Sequence, residues 1–513
     1  MEPSTTTPPA IASATLNVGR KAQARGLAGL SVACLIASAI GFMPQNQYLL
    51  LPTILLLAGG VSLGAALGLR RDWGFPRLER ITRVEADRRV RWISILIGAA
   101  LLALLGLRGG KFILPMQVYQ LTNIHVQMVM LFGGLALVVG GVGGVRRQDA
   151  AAFAACARAH RREIGLMLAL IVIAFAVRMI NLQDAVRAFM DEGPFVEAVV
   201  KMREDPLVPL TAPLHPVASS TRLFPYVQMV LSDLFGSNLA MFRMGAVLFG
   251  ALTIAATYAL ARVLFDQRTA LLAGVLLAVF PPHIHMSRIG IYNIADPLFG
   301  VLALAFFTRA VQTQRRLFYA LAGAMLGLLP YVYEGGELLF PPLVLLWAGW
   351  LALSKGPRPT RRGIGWMLLV ALLLALPVYY TNLSYHLPLF TRLDDASTGG
   401  DYLLALLVAP NGLHRVHTFL AQRLLPPLLH YVHAPDASLF YGGETALILP
   451  WLVPLFLLGL FHALRRSGSG LLVLWVLLTT LGNSVILFNN WTARFVVVMP
   501  AIAILCAAGL RYT

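Results

Sequence analysis

Apolar residues run along this chain in long blocks, almost from end to end, separated by short polar or basic connectors. A helix needs roughly 20 apolar residues to cross the hydrocarbon core of a bilayer, and shorter runs serve at the margin. By that measure the predicted spans are 26–43, 48–68, 92–107, 125–145, 164–182, 240–263, 269–287, 294–311, 317–333, 337–354, 364–380, 443–463, 470–488 and 493–510. The expected fold is therefore all-α, a polytopic membrane protein of about fourteen transmembrane helices, with normal boundary error. Two of the connectors are long. The first, 183–239, contains Leu223–Phe235, which is too short and polar to span and reads as an amphipathic helix at the interface. The second, 381–442, carries His386, Asp394, Asp395, Asp401, His414, His417, His430 and His433. Loops of that length in a compact protein are usually functional.

Composition sharpens this reading. Of the 513 residues, 58% are hydrophobic and 12% charged, against about 25% charged in a soluble protein. Such a chain cannot cover a soluble surface, so its excess apolar residues must face lipid. The net charge of +18 raises the question of nucleic acid, but its distribution answers otherwise. With the N-terminus in the cytoplasm and the spans alternating, basic residues gather on the inner segments, among them Arg70–Arg91, Arg146–Arg162, Arg309–Arg316 and Lys355–Arg362. Acidic residues gather on the outer side. This is the bias that orients membrane proteins, and it predicts a multi-pass protein of the plasma membrane with both long loops outside and no nucleic-acid partner. The first apolar run, from Gly26, reads as an anchor rather than a cleavable leader. Three cysteines, Cys34, Cys156 and Cys506, give no disulfide framework. The first four spans contain few polar residues at membrane depth, so residues 1–157 read as an added module ahead of a main membrane domain at 158–513.

The most informative polar stretch is Arg187-Ala188-Phe189-Met190-Asp191-Glu192-Gly193-Pro194-Phe195. Two adjacent carboxylates follow a span on the outer side. An ionisable group near the membrane is a functional candidate: a carboxylate can take a proton from an attacking hydroxyl, hold a cation or hydrogen-bond a sugar. From spacing alone, a lone Asp-Glu pair fits a solvated loop better.

The order of motifs that follows resembles the GT-C class of glycosyltransferases, in its protein-mannosyltransferase-like and Rgt-type branch (glycosyltransferase family 39-like), over about residues 158–513. The segment RAFMDEGPFVEAV is similar to that family's Asp-Glu motif in the first outer loop. RLFPYVQMVLSDLFGSNLAMFRMGAVLFGALT is similar to its Pro-aromatic element, short helix and Arg at the head of the next span. TALLAGVLLAVFPPHIHMSRIGIYNIADPLFG and NNWTARFVVVMPAIAILCAAGL resemble its later spans. The family's Lys-Pro-Pro or His-Pro-Pro element is replaced here by Arg222-Leu223-Phe224-Pro225-Tyr226.

The resemblance implies a GT-C-type helical bundle with two long outer loops. It also implies transfer of a sugar from a polyprenyl-phosphate carrier to a glycan, lipid or protein acceptor at the outer face, by direct displacement with inversion. Asp191 maps onto the family's catalytic acid residue as general base, and Glu192 would position it or contact the sugar. A leaving phosphate needs positive charge, and an arginine fork suits it. Arg243, Arg288 and Arg494 stand at the outer ends of predicted spans, where interfacial arginines also simply snorkel. Asp296 could bind sugar or acceptor, or pair with Arg288. Tyr331, Tyr333, Glu334 and Glu337, in the turn YVYEGGE, suit a sugar site. His283 and His285 do not share a helical face, and no spacing matches a standard metal site. Some GT-C enzymes use a divalent cation and others do not, so no cofactor is assigned beyond that possibility. No Gly-rich nucleotide-phosphate loop stands out, which suits a lipid-linked donor. The alternatives are a secondary transporter, which would carry repeated halves and polar groups near the midplane, and a non-catalytic membrane scaffold.

Overall fold

The computed structural model describes residues 22–34, 90–110, 114–144, 157–184, 190–214, 221–353, 356–387, 424–436, 445–464, 469–486 and 492–512, with isolated positions elsewhere. Among them every regular element is helical. Of the first two predicted spans, 26–43 is helical over the residues described, 26–34 and 36–37, whereas 48–68 lies largely outside the described residues, as do Asp394, Asp395, Asp401, His414 and His417 of the second outer loop.

In chain order the helices are α1 (Trp92–Gly109), α2 (Met116–Leu121), α3 (Ile124–Gly143), α4 (Arg161–Met179), α5 (Gly193–Glu204), α6 (Leu223–Phe235), α7 (Leu239–Leu264), α8 (Gln267–Ala278) and α9 (Pro281–Met286). There follow α10 (Asp296–Thr313), α11 (Arg316–Leu328), α12 (Glu334–Leu353), α13 (Arg361–Ser384), α14 (Leu425–Leu429), α15 (Val453–Leu464), α16 (Gly470–Leu481), α17 (Thr492–Phe495) and α18 (Met499–Tyr512). Seven helical stretches are long and apolar enough to cross a membrane; several others are apolar but shorter. The expected interfacial helix at 223–235 forms with those bounds, as α6.

Proline accounts for where the spans depart from expectation. The expected span 269–287 is broken: α8 stops at Ala278 and a short α9 begins at Pro281. Pro281 and Pro282 donate no backbone hydrogen bond, and a residue before proline is pushed out of the helical region; Phe280 is accordingly extended, with φ −73° and ψ 112°. The expected span 317–333 tightens into a 3₁₀ turn at Leu329–Tyr331, around Pro330. The last span likewise opens with α17 and a 3₁₀ turn at Val496–Val498 before α18.

The segment ending in α18 forms the centre of the bundle, with 89% of its apolar window buried, whereas α1 and α13, at 39% each, lie at the rim. Their outward side chains, such as Ile93 and Leu372, are large, apolar and exposed, as lipid requires. Tight crossings depend on small residues, since helices in lipid gain most from close van der Waals approach. A Cβ on Gly459 of α15 would stand 1.9 Å from the carbonyl oxygen of Leu505, and one on Gly509 would stand 2.1 Å from that of Leu455. Gly459→Ala must therefore push α15 off α18. A loss of about 1–3 kcal/mol, typical of overpacking, is expected as a lower thermal midpoint in detergent.

Polar side-chain bonds collect at the two ends of the bundle. At one end Glu163 accepts from Tyr258 and Arg262, Tyr512 donates to Asp266, and Gln314 donates to the carbonyl of Arg358. At the other, Arg243 donates to Glu192, Thr221 to the Tyr331 carbonyl, and Tyr379 to Glu337. The alternation of spans places the same residues in the same two groups. Helices α1 and α3 pack on each other and on α13 and α11, so this part of the 1–157 module lies directly against the helices that follow.

Candidate active site

The site begins where α4 ends. A helix leaves its last carbonyls without intrahelical partners and carries partial negative charge there. In the turn just beyond Met179, four successive carbonyls accept from two arginines. Arg288 donates from Nη2 to Ile180 and to Asn181, the latter at 3.3 Å. Arg243 donates from Nη1 to Leu182 and Gln183, at 3.2 Å each.

Arg243 is fully buried near the head of α7. Its Nε and Nη2 bind the two carboxylate oxygens of Glu192 at 2.8 and 2.7 Å. This is the bidentate fork that makes arginine–carboxylate pairs strong and directional. Glu192 is itself buried, and its Oε1 also accepts the Gly290 backbone N–H at 2.6 Å. Gly290 must be glycine for this approach: a Cβ there would lie 2.8 Å from the Phe242 ring and 3.1 Å from Glu192 Oε1. The Gly290 carbonyl is held in turn by Gln228 of α6, at 3.0 Å. Asp191 precedes Glu192 in the 3₁₀ turn Met190–Glu192, at the start of α5, and is exposed. The adjacent carboxylates thus have different environments, one locked inside and one at the surface.

Arg288 is half-buried. Burial, and next the like charge of Arg243, lower its pKa, although an arginine stays charged at any physiological pH. Its Nε has no hydrogen-bond partner.

A second group of expected residues adjoins the first through Tyr292, whose ring lies 4.8 Å from that of Phe195 in α5 and 4.7 Å from that of Tyr333. Asp296, at the start of α10, is fully buried. It was open to pairing with Arg288; its Oδ2 instead accepts the Gly336 N–H at 2.6 Å, and its Oδ1 has no hydrogen-bond partner. The Gly335–Gly336 pair makes the space, since a Cβ on Gly336 would stand 2.7 Å from the Asp296 carboxyl carbon. Glu334 is buried at the head of α12, and Glu337, one turn on, accepts from the Tyr379 hydroxyl. Tyr331 is fully buried; its carbonyl accepts from Thr221 at 2.8 Å, while its hydroxyl has no hydrogen-bond partner. Arg494 is half-buried in α17. Its neighbours Thr492 and Phe495 meet His430, the first through a 3.4 Å hydroxyl contact and the second with ring centres 4.6 Å apart. The 3₁₀ turn that follows α17 packs on Tyr292–Ala295.

Sequence reasoning missed several members. Gln228 and Gly290 complete the shell around Glu192, and a glutamine on an otherwise apolar helix face was the available signal. Arg178, near the end of α4, is fully buried and meets His283 Nδ1 at 3.0 Å; an arginine within an apolar span is costly enough to flag a role. Among the described residues, no group of three or more His, Cys, Asp or Glu side chains is placed to hold a metal ion.

Comparison with known proteins adds a family match over part of the chain. Residues 219–384 match the family described as dolichyl-phosphate-mannose-protein mannosyltransferase. No curated protein sequence matches the chain. Among solved structures, ArnT from Cupriavidus metallidurans bound to undecaprenyl phosphate shares 18% identity at a TM-score of 0.43, over 67% of this chain and 60% of that one. The oligosaccharyltransferase AglB from Archaeoglobus fulgidus, in complex with an inhibitory peptide and a dolichol-phosphate, shares 15% identity at a TM-score of 0.43, over 66% of this chain and 50% of that one. The chain thus spans only half to three-fifths of the solved proteins it matches. The family match at residues 219–384 covers about a third of the chain and falls within residues 158–513, whose motif order resembles the GT-C glycosyltransferases.

Proposed function

We propose that this chain is an inverting glycosyltransferase of the plasma membrane, moving a sugar from polyprenyl phosphate to an acceptor hydroxyl at the outer face. The observation that carries the reading is the division of labour between Asp191 and Glu192. Glu192 is held by Arg243 and the Gly290 N–H, so it serves as a buried anchor, and the turn it fixes presents Asp191 at the surface. Asp191 takes the proton of the acceptor hydroxyl as its oxygen attacks the anomeric carbon. The bond from that carbon to the phosphate oxygen breaks on the opposite side, and polyprenyl phosphate leaves with the electron pair.

The charge that develops on the phosphate falls to Arg288 and Arg494. Arg243, expected as a third phosphate ligand, has all three guanidinium nitrogens directed to Glu192 and to the carbonyls of Leu182 and Gln183, so its role is to fix the turn. Asp296, Tyr331 and Glu334 form the flank on which sugar or acceptor would rest.

The test is incubation of membranes containing the protein with radiolabelled polyprenyl-phosphate sugars. Wild-type protein is expected to move label out of the lipid fraction. Arg288→Ala and Arg494→Ala should each raise KM for the lipid-linked donor about ten- to a hundredfold, the worth of a hydrogen bond to a charged group. An unchanged KM in both variants would remove the arginines from the phosphate. Failure of the wild-type protein to consume any such donor would remove the function.

A further inference from the structure

The role of the helices ahead of the family segment is open, and their contacts with the first outer loop suggest one. Residues 205–212 of that loop run along the ends of α1 and α3, at the Asp191 end of the bundle. The Ile124 N–H, at the start of α3, donates to the Pro206 carbonyl at 2.7 Å. Arg108, near the end of α1, is almost fully buried. It donates from Nη2 to the Leu207 carbonyl and from Nε to the Thr122 hydroxyl at 3.0 Å, with its guanidinium carbon 3.5 Å from the centre of the Tyr119 ring.

Gln127 of α3 is fully buried and makes the central contact. Its Nε2 donates to the Val208 carbonyl at 3.1 Å, and its Oε1 accepts the Leu210 N–H at 2.7 Å. A third bond, from Nε2 to the carbonyl of Thr122 at 2.9 Å, ties the amide to the residue that ends α2, just ahead of its own helix. One side chain thus satisfies both a donor and an acceptor of the loop backbone, in a buried place where unpaired backbone groups are costly.

The loop passes that registration onward. The Leu210 carbonyl accepts the Arg222 N–H at 3.0 Å, and the Pro209 and Ala212 carbonyls accept from Arg222 Nη1 at 2.8 and 3.2 Å. Thr211 and Thr381 share a hydroxyl hydrogen bond at 2.8 Å. Arg222 opens α6, which carries Gln228 to Gly290, and its neighbour Thr221 holds the Tyr331 carbonyl at the turn that leads to Glu334.

We propose that Gln127, supported by Arg108, is a positioning residue: its side-chain amide fixes residues 208–210 of the first outer loop and thereby sets Arg222, α6 and the Thr221–Tyr331 contact that border the site. The α1–α3 unit is then a brace for the reaction centre. The kinetic part of this inference rests on the glycosyltransferase reading; the structural part does not.

The test compares full-length wild-type protein with Gln127→Leu, which loses all of the amide bonds, and Gln127→Glu, which keeps an acceptor for Leu210. Hydrogen–deuterium exchange of peptides covering 205–214 and 221–226 reads the brace directly. Both should exchange at least about tenfold faster in Gln127→Leu, with recovery toward wild type in Gln127→Glu, and with peptides from α18 unchanged. Transfer kinetics read its consequence: kcat should fall about ten- to a hundredfold, the cost of a displacement on the order of 1 Å at a reacting centre, with KM for the polyprenyl-phosphate donor within about twofold of wild type. Should Gln127→Leu not fold, Thr381→Val, which cuts the Thr211 tie, carries the same two readouts. Unaltered exchange in 205–226 would overturn the brace. Faster exchange with unaltered kcat would overturn the positioning role. If even the wild-type protein transfers no sugar, the exchange result still decides the brace, and only the glycosyltransferase reading is lost.

Discussion

Replacing Asp191 by Asn should lower the rate of sugar transfer from polyprenyl phosphate by about 10²–10⁴-fold, the usual worth of a positioned general base, and leave the fold intact. Asparagine keeps the size of the side chain and loses the ability to take a proton from the acceptor. The site is exposed, and substitutions at exposed positions usually change stability by no more than about 0.5 kcal/mol. Single-turnover loss of label from the lipid donor measures the first effect, and the thermal midpoint in detergent measures the second. Wild-type transfer by Asp191→Asn would remove Asp191 as the base of the reaction.

The opposite pattern is expected one residue on. Glu192→Gln or Arg243→Ala removes one half of a buried ion pair whose partners are 0% and 5% exposed on Arg243 and Glu192 respectively. An uncompensated charge then remains inside, which typically costs about 3–5 kcal/mol. Glu192→Gln also weakens the tie to the Gly290 N–H, and Arg243→Ala frees the carbonyls of Leu182 and Gln183. Both variants should therefore lose stability and activity together. The double replacement Glu192→Leu with Arg243→Leu should be less destabilised than the sum of its parts, because no charge is stranded. Thermal midpoints of the three proteins decide this. Single variants within about 0.5 kcal/mol of wild type, as for ordinary surface positions, would show that the pair is not the anchor of the turn.

Much of the fold was legible because lipid imposes a simple rule: a spanning segment must be long, apolar and helical. That rule located α1, α3, α7, α10, α12, α13 and the segment ending in α18, and the alternation of basic connectors sorted the polar residues into the two ends where their bonds form. It failed where proline interrupts an apolar block, because hydropathy does not register the missing N–H of Pro281 and Pro282. For the site, the residue types were legible and the pairings were not. Arg243, Arg288 and Arg494 are equivalent in sequence, all at the outer ends of apolar segments. Only the folded chain gives Arg243 to Glu192, fifty-one positions earlier in the sequence, and leaves Arg288 on two backbone carbonyls. Asp296 turned to Gly336 rather than to Arg288 because two glycines let the backbone reach its carboxylate. Gln127 and Gln228 were legible only as single amides among apolar residues, a signal that marks the residue but does not name the backbone it will hold.

The most direct measurement is the sidedness of the Asp191 turn. Gly193 is exposed, and a side chain there would meet nothing within 4 Å, so Gly193→Cys in a background with Cys34, Cys156 and Cys506 replaced by Ser gives a reporter beside the carboxylate. A membrane-impermeant maleimide added to intact cells is expected to label it. Labelling only after the membrane is permeabilised would put the carboxylate on the cytoplasmic side and contradict transfer at the outer face.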